Sequence, residues 1–155
     1  MAVLDEIDCA ILAELQERGD IPNIELARIA GLSPAATSRR VARLRLEGVI
    51  EAVRAVLVPE EVGLPIEAFI LATLAEHQPE ADARFAREVA AMPAVLRADS
   101  VAGEDDVLLQ VAVATPADLQ RLLLKLKRAG AARLTTMLRL QVIKPAAPLA
   151  LRSSA

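Results

Sequence analysis

The chain has 155 residues, 54% of them hydrophobic and 25% charged, with a net charge of −3. That is enough apolar material for one medium domain or two small ones, and it excludes a wholly disordered chain. One cysteine and one histidine cannot build an internal disulfide or a zinc site within one chain, and no run of roughly 18 uncharged apolar residues is present to cross a bilayer.

The N-terminus MAVLDEIDCA leads with acids rather than a positive segment before an apolar one, so the protein is expected to be cytoplasmic, with no metal and no cofactor. Leu4, Ile7, Ile11, Leu12 and Leu15 follow helical spacing, with Asp5 as N-cap and Gly19 as the stop. Cys9 lies off this stripe and reads as a small packing residue. Ile21 and Pro22 connect to a second helix, capped by Asn23, whose buried side is Leu26, Ala27 and Ile29.

A turn at Gly31 and Leu32 leads to a third helix, with Ser33 as its cap and Pro34 at N1, where the missing N–H costs nothing. Thr37, Val41 and Leu44 face the core; Ala35, Arg39 and Arg43 lie opposite; Gly48 ends the helix as a C′ glycine. Residues 28–54 hold six arginines against Glu47 and Glu51, a local +4, whereas residues 1–27 sum to −6. This is the outline of a helix-turn-helix reader of double-stranded DNA. Arg39 and Arg43, with Ala35 and Ala36, are expected at base edges. Arg40 and Arg45 are expected at phosphates, Ser38 at either, with Ser33 also among the DNA contacts. A solvated charged face explains most such runs, but the cap, the preceding helix and the acid-poor surroundings favour DNA. Phe69 and Phe85 are the only aromatic residues, which counts against stacking single-stranded nucleic acid.

Residues 49–58, VIEAVRAVLV, are rich in β-branched side chains and read as a linker strand or extended hinge, broken by Pro59, Gly63 and Pro65. From residue 66 to 144 the signals alternate as βαββαβ, the ferredoxin-like order, with Thr115 and Pro116 starting the second helix and 103–106 as the hairpin between two strands. The expected class is therefore α+β: a reader over 1–50, a linker over 51–65, a ferredoxin-like domain over 66–144, and a flexible tail over 145–155 with no assigned role. The strands are too apolar on both faces for one helical layer, so the second face is expected to pack on that of another copy, giving a homodimer.

The blocks LDEIDCAILAELQERGDI, ELARIAGLSPAATSRRVARLRLEGVI, VPEEVGLP, GEDDVLLQV and GAARLTTMLRLQVIK occur in the order found in the leucine-responsive regulator (Lrp/AsnC) family of transcription regulators, which the chain resembles from residue 4 to 144. The resemblance implies dimers assembled into octamers or larger rings, and a small effector, often an amino acid, bound between C-terminal domains. Carried onto this sequence, the effector positions fall on Gly103, Asp106 and Thr136. Glu104 and Asp105 lie between the first two, and the hairpin would cradle the effector's carboxylate and ammonium; an acidic turn with no ligand is the alternative. Two other functions compete: an architectural protein that wraps DNA without an effector, and a sirohaem-decarboxylase-like enzyme of similar architecture. For the latter only His77 is available, and no nucleophile–base pair, phosphate loop or metal cluster is visible, so no enzyme is expected.

Overall fold

The computed structural model describes residues 3–76 and 78–153; His77 lies outside the described residues. The chain forms two compact units. One runs to Val56 and takes up the chain again from Lys144; the other is Leu57–Ile143.

The first unit holds α1 (Glu6–Glu17), α2 (Asn23–Ile29) and α3 (Pro34–Leu46). Ile11, Leu12, Leu26 and Leu44 are buried together, and Leu4, Ile7, Leu15, Leu32 and Val41 pack around them. Each such aliphatic side chain contributes roughly 1.5–3 kcal/mol when fully buried. Local chemistry sets the helix ends. Ser33 caps α3 by accepting from the Ala36 N–H, with Pro34 in the first turn. Both turns after α2 and α3 close on a glycine in the left-handed region, Gly31 at φ 66 and Gly48 at φ 73. In each the next residue bonds back to the helix, Leu32 N–H to Ala27 and Val49 N–H to Leu44, which satisfies carbonyls the helix would leave orphaned.

Two expectations for α2 need correction. Asn23 is not its cap: Pro22 holds that position without a side-chain bond, and the Asn23 amide donates instead to the Pro34 carbonyl at 2.9 Å. Ile29 is 38% exposed, because a seven-residue helix presents only Leu26 and Ala27 inward.

One buried charge fastens α1 to α3. Asp5 caps α1, and Asp8 at N3 completes a capping box, Asp5 accepting from the Asp8 N–H at 2.7 Å. Asp8 is 1% exposed. Its two oxygens accept from Arg40 at 2.8 Å and Arg43 at 2.6 Å, and Arg40 also reaches Asp5 at 2.6 Å. Burial alone would push the Asp8 carboxyl up, but the guanidiniums of Arg43 and Arg40 outweigh it and hold the group below the usual carboxylate range.

The segment after Lys144, expected as a flexible tail, docks on this same unit. The Gln16 side-chain amide accepts from the Leu149 N–H at 2.7 Å and donates to the Leu149 carbonyl at 3.2 Å, and Leu151 packs on the helical core. A side-chain amide that meets both backbone groups of one residue acts as a short stretch of β-ladder would. The linker region 50–58 carries no regular structure, and a 3-10 turn at Glu60–Val62 precedes the second unit.

That unit is β1 (Ile66–Leu74), α4 (Pro79–Ala90), β2 (Val95–Ser100), β3 (Val107–Val113), α5 (Pro116–Ala129) and β4 (Ala131–Leu138), an antiparallel sheet in the order β2-β3-β1-β4. The ferredoxin-like reading holds. Thr115 caps α5 by accepting from the Asp118 N–H. Ala68, Ile70, Ala72 and Leu74 alternate onto the face covered by helices, where they meet Phe85, Val89, Leu109, Val111, Leu122 and Leu126. The other face carries Phe69 and Leu71 beside Leu108, all half-buried, with Met137 43% exposed, and no helix or strand among the described residues forms a second core layer on it. Ion pairs fringe that patch: Arg139 bonds Glu67 at 2.7 Å while lying over the Phe69 ring at 5.2 Å, and Arg97 bonds Asp99 at 2.6 Å.

Two outcomes follow for the first unit. Because the folded Asp8 pKa lies below its ordinary 3.8, the pair stabilises the fold above that pH and its contribution is lost as pH falls through the lowered value. Hydrogen-exchange protection of the Ile11 and Leu44 amides should therefore fall more steeply below about pH 3.8 in the wild type than in Asp8→Asn; parallel profiles would show that Asp8 does not carry the acid sensitivity. Truncation after Lys144 should lower the same protection by about 1–2 kcal/mol, from the partly buried Leu151 and two hydrogen bonds, with Gln16→Ala costing about 1 kcal/mol. An unchanged protection in the truncated chain would mean that the tail adds nothing to the fold.

Candidate nucleic-acid interface and effector hairpin

The sequence-predicted DNA residues fall into three groups. Ser33, Ala35, Ser38, Arg39 and Arg45 are exposed, Ala36 is half-buried, and Arg40 and Arg43 are half-buried because Asp8 holds them. Arg39 and Arg45 carry no ion pair among the described residues. Asp5, Ala36, Arg39, Arg40 and Arg43 line one shallow open depression on the outer side of α3. Arg39 and Arg43 thus share a face, as helical spacing requires, but they differ in partners: Arg39 is exposed with no ion pair among the described residues, and Arg43 is anchored to Asp8. Arg40, expected to flank that face, joins it through its bridge to Asp5 and Asp8.

Sequence reasoning overlooked the two carboxylates as parts of this surface. Asp8 did leave a signal, an acid one turn before Ile11 and Leu12 on the apolar side of α1, where an ionised group needs a partner. The partner is 32 to 35 residues away, so the pairing itself has no local signature.

The hairpin at 103–106 is clasped to the end of β1. Asp106 accepts the Leu74 N–H at 2.7 Å while its own N–H donates to the Ala72 carbonyl at 3.0 Å. Asp105 accepts from the Thr73 hydroxyl at 2.8 Å and from Arg133 at 3.1 Å, and Arg133 also reaches Glu104 at 3.2 Å. That guanidinium, missed in the sequence, pairs with two of the three carboxylates of the turn. Gly103 is exposed, and a Cβ there would meet no atom within 4 Å.

Thr136 is not brought to this cluster. It pairs with Ile70 and so shares the helix-covered side of the sheet, whereas Arg133 pairs with Thr73 on the opposite side. It also stands on the far edge strand, with β1 between it and β3. Beside the hairpin, between α4 and β2, lies a cleft of about 640 Å³ lined by Leu74, Phe85 and Val89, by Asp82 and Asp106, and by the Arg97–Asp99 ion pair. Of the five expected effector residues only Asp106 lines it.

Comparison with known proteins places both halves. The family described as Lrp/AsnC ligand binding domain matches residues 67–149, and the family described as winged helix-turn-helix DNA-binding matches residues 4–51. The leucine-responsive regulatory protein of Rhizobium meliloti is 42% identical over 118 residues, 76% of this chain and 75% of that protein. That of Haemophilus influenzae is 38% identical over 120 residues, 77% and 72% of the two chains. Among solved structures, a transcriptional regulator from Neisseria meningitidis in complex with L-methionine superposes with a TM-score of 0.86 at 32% identity, covering 95% of this chain and 96% of that one. With a capped reader helix in the first unit, a βαββαβ sheet in the second and relatives of this identity across both, the chain belongs to the Lrp/AsnC family of DNA-binding transcription regulators.

Proposed function

We propose that α3 is the recognition helix of this regulator, that it enters the major groove with Arg39 and Arg43 toward base edges, and that Arg40, Arg45, Ser33 and Ser38 meet the phosphates beside them. One observation carries this reading: the exposed side of α3 gathers three arginines and Ala36 around a single depression, while Thr37 and Leu44 on its other side are buried. Small side chains at Ala35 and Ala36 let the helix backbone approach a groove, and guanidinium forks suit the acceptor pair of guanine. Two copies are needed for affinity, because one reader with four arginines neutralises few phosphates. The uncovered sheet face around Phe69, Leu71 and Leu108 supports a homodimer that supplies the second reader, and such dimers can build larger rings.

The effector is an amino acid. Its support is chemical: at a volume suited to a small ligand, the α4–β2 cleft joins an apolar wall to Asp82 and Asp106, carboxylates suited to an ammonium group, while Asp99 is already paired with Arg97. The meningococcal relative that superposes on the chain was crystallised with L-methionine. Asp106 is the hairpin residue that reaches the cleft; Glu104, Asp105 and Gly103 shape the turn, and Thr136 could join only from another copy.

Binding to a duplex selected from a random pool by the wild type should weaken by about 1–3 kcal/mol in Arg39→Ala, the loss of a good base contact, with less effect on unselected DNA. Equal binding by variant and wild type would remove α3 from the groove. Calorimetry with a panel of amino acids should give heat with at least one apolar member, and Asp106→Asn, which keeps an acceptor for the Leu74 N–H, should reduce it at least tenfold. Silence across the panel, or heat that Asp106→Asn leaves intact, would dismiss the cleft as the effector site.

A further inference from the structure

We infer that Asp8 is a positioning residue for DNA recognition: the buried carboxylate fixes the Arg43 and Arg40 side chains on the outer face of α3 before DNA arrives. This rests on α3 being the recognition helix. An unanchored arginine carries substantial rotamer freedom, which must be surrendered when it contacts a base. Here Asp8 removes much of that freedom in the free protein, and Asp8 is itself buried and bonded to the N-cap backbone of α1. It is 1% exposed, lies in the first turn of α1, and is tied through the capping box to Asp5.

The anchoring does not use up the guanidiniums. Arg43 gives Asp8 one bond through Nη2, and Arg40 gives Asp5 and Asp8 its bonds through Nη1 alone. A guanidinium has five N–H donors, so each side chain keeps donors for DNA while remaining held. The two carboxylates are unequal partners. Asp8 is sealed and keeps its charge because two cations face it, whereas the Asp5 side chain is 52% exposed and shares Arg40 at the rim of the depression. Asp5 therefore competes with phosphate for Arg40, while Asp8 supports Arg43 from behind. A helix-packing role alone would require neither arginine to lie on the outer depression, yet both line it.

The test compares the full-length wild type with Asp8→Asn, Arg43→Ala, the Asp8→Asn/Arg43→Ala double variant, Asp5→Asn and Arg39→Ala. Each is titrated against the selected duplex and a scrambled duplex in a salt series, below the melting temperature of every variant. In Asp8→Asn the selected-to-scrambled affinity ratio should fall by about tenfold, the size of losing one good base contact, with the salt slope unchanged because the phosphates touched are the same. In the Arg43→Ala background Asp8→Asn should lower the ratio no further. Asp5→Asn should keep the ratio and tighten both duplexes. A folded Asp8→Asn with the wild-type ratio overturns the proposal. If Arg39→Ala also leaves the ratio unchanged, the recognition-helix reading falls with it; if Arg39→Ala lowers it, only the role of Asp8 fails. Should Asp8→Asn not fold, the guanidinium nitrogen resonances of wild-type Arg43 decide: slowed rotation in the free protein supports anchoring, and free rotation overturns it.

Discussion

The reader depends on a carboxylate in the wrong place for hydrophobicity. Asp8 sits on the inner side of α1 at 1% exposure, next to a core of Ile11, Leu12, Leu26 and Leu44. An isolated charge there would cost several kcal/mol or force protonation. Two arginines on α3 prevent that, and in doing so they set how α3 lies on α1 and where the guanidiniums point. The same ion pairs thus tie α1 to α3, hold the Asp8 carboxyl below its ordinary range and place two cations on the outer surface. Replacing the cluster by apolar side chains could leave the packing intact, but it would remove the arrangement of cations.

Much of this domain was legible because its signals are local. Ser33 with Pro34, Gly31 and Gly48 each act within one helical turn, so their roles follow from neighbours in sequence, and the structure has each where its chemistry requires it. Asn23 shows the limit. Its composition suits a cap, but the chain turns after Pro22 and the amide finds the Pro34 carbonyl eleven residues away. The Asp8 cluster is legible only in part: spacing shows an acid facing inward, and nothing local shows which of the nearby arginines will meet it.

The ligand-binding unit divides in the same way. Alternation puts Ala68, Ile70, Ala72 and Leu74 on one face of β1, but with both faces apolar it does not say which one the helices cover; strand order follows from the connections, since a βαββαβ chain with right-handed crossovers has few ways to pair. The expected effector set was drawn from two sequence blocks without knowing the register. Once Ile70 pairs with Thr136 and Thr73 with Arg133, a three-residue step along β4 puts these two residues on opposite faces. The hairpin's own carboxylates also have work within the chain. Asp105 and Glu104 meet Arg133, and Asp106 holds the end of β1, so an acidic turn that looked free for a ligand is partly spent on closing the sheet.

The tail alters how the chain divides into domains. Its composition, rich in alanine and proline, gives no helix or strand period, and on that basis residues 145–155 had no role. Yet Leu151 joins the helical core and both backbone groups of Leu149 are met by Gln16. The ligand-binding domain is therefore an insertion within the reader unit rather than an appendage to it, since the chain leaves at Val56 and returns at Lys144. A helix-turn-helix cut out at residue 50 would lack part of its own apolar cover. The core of the first unit is completed only by residues made after the whole of the second unit, so its stability belongs to the full chain and not to the stretch that carries α3.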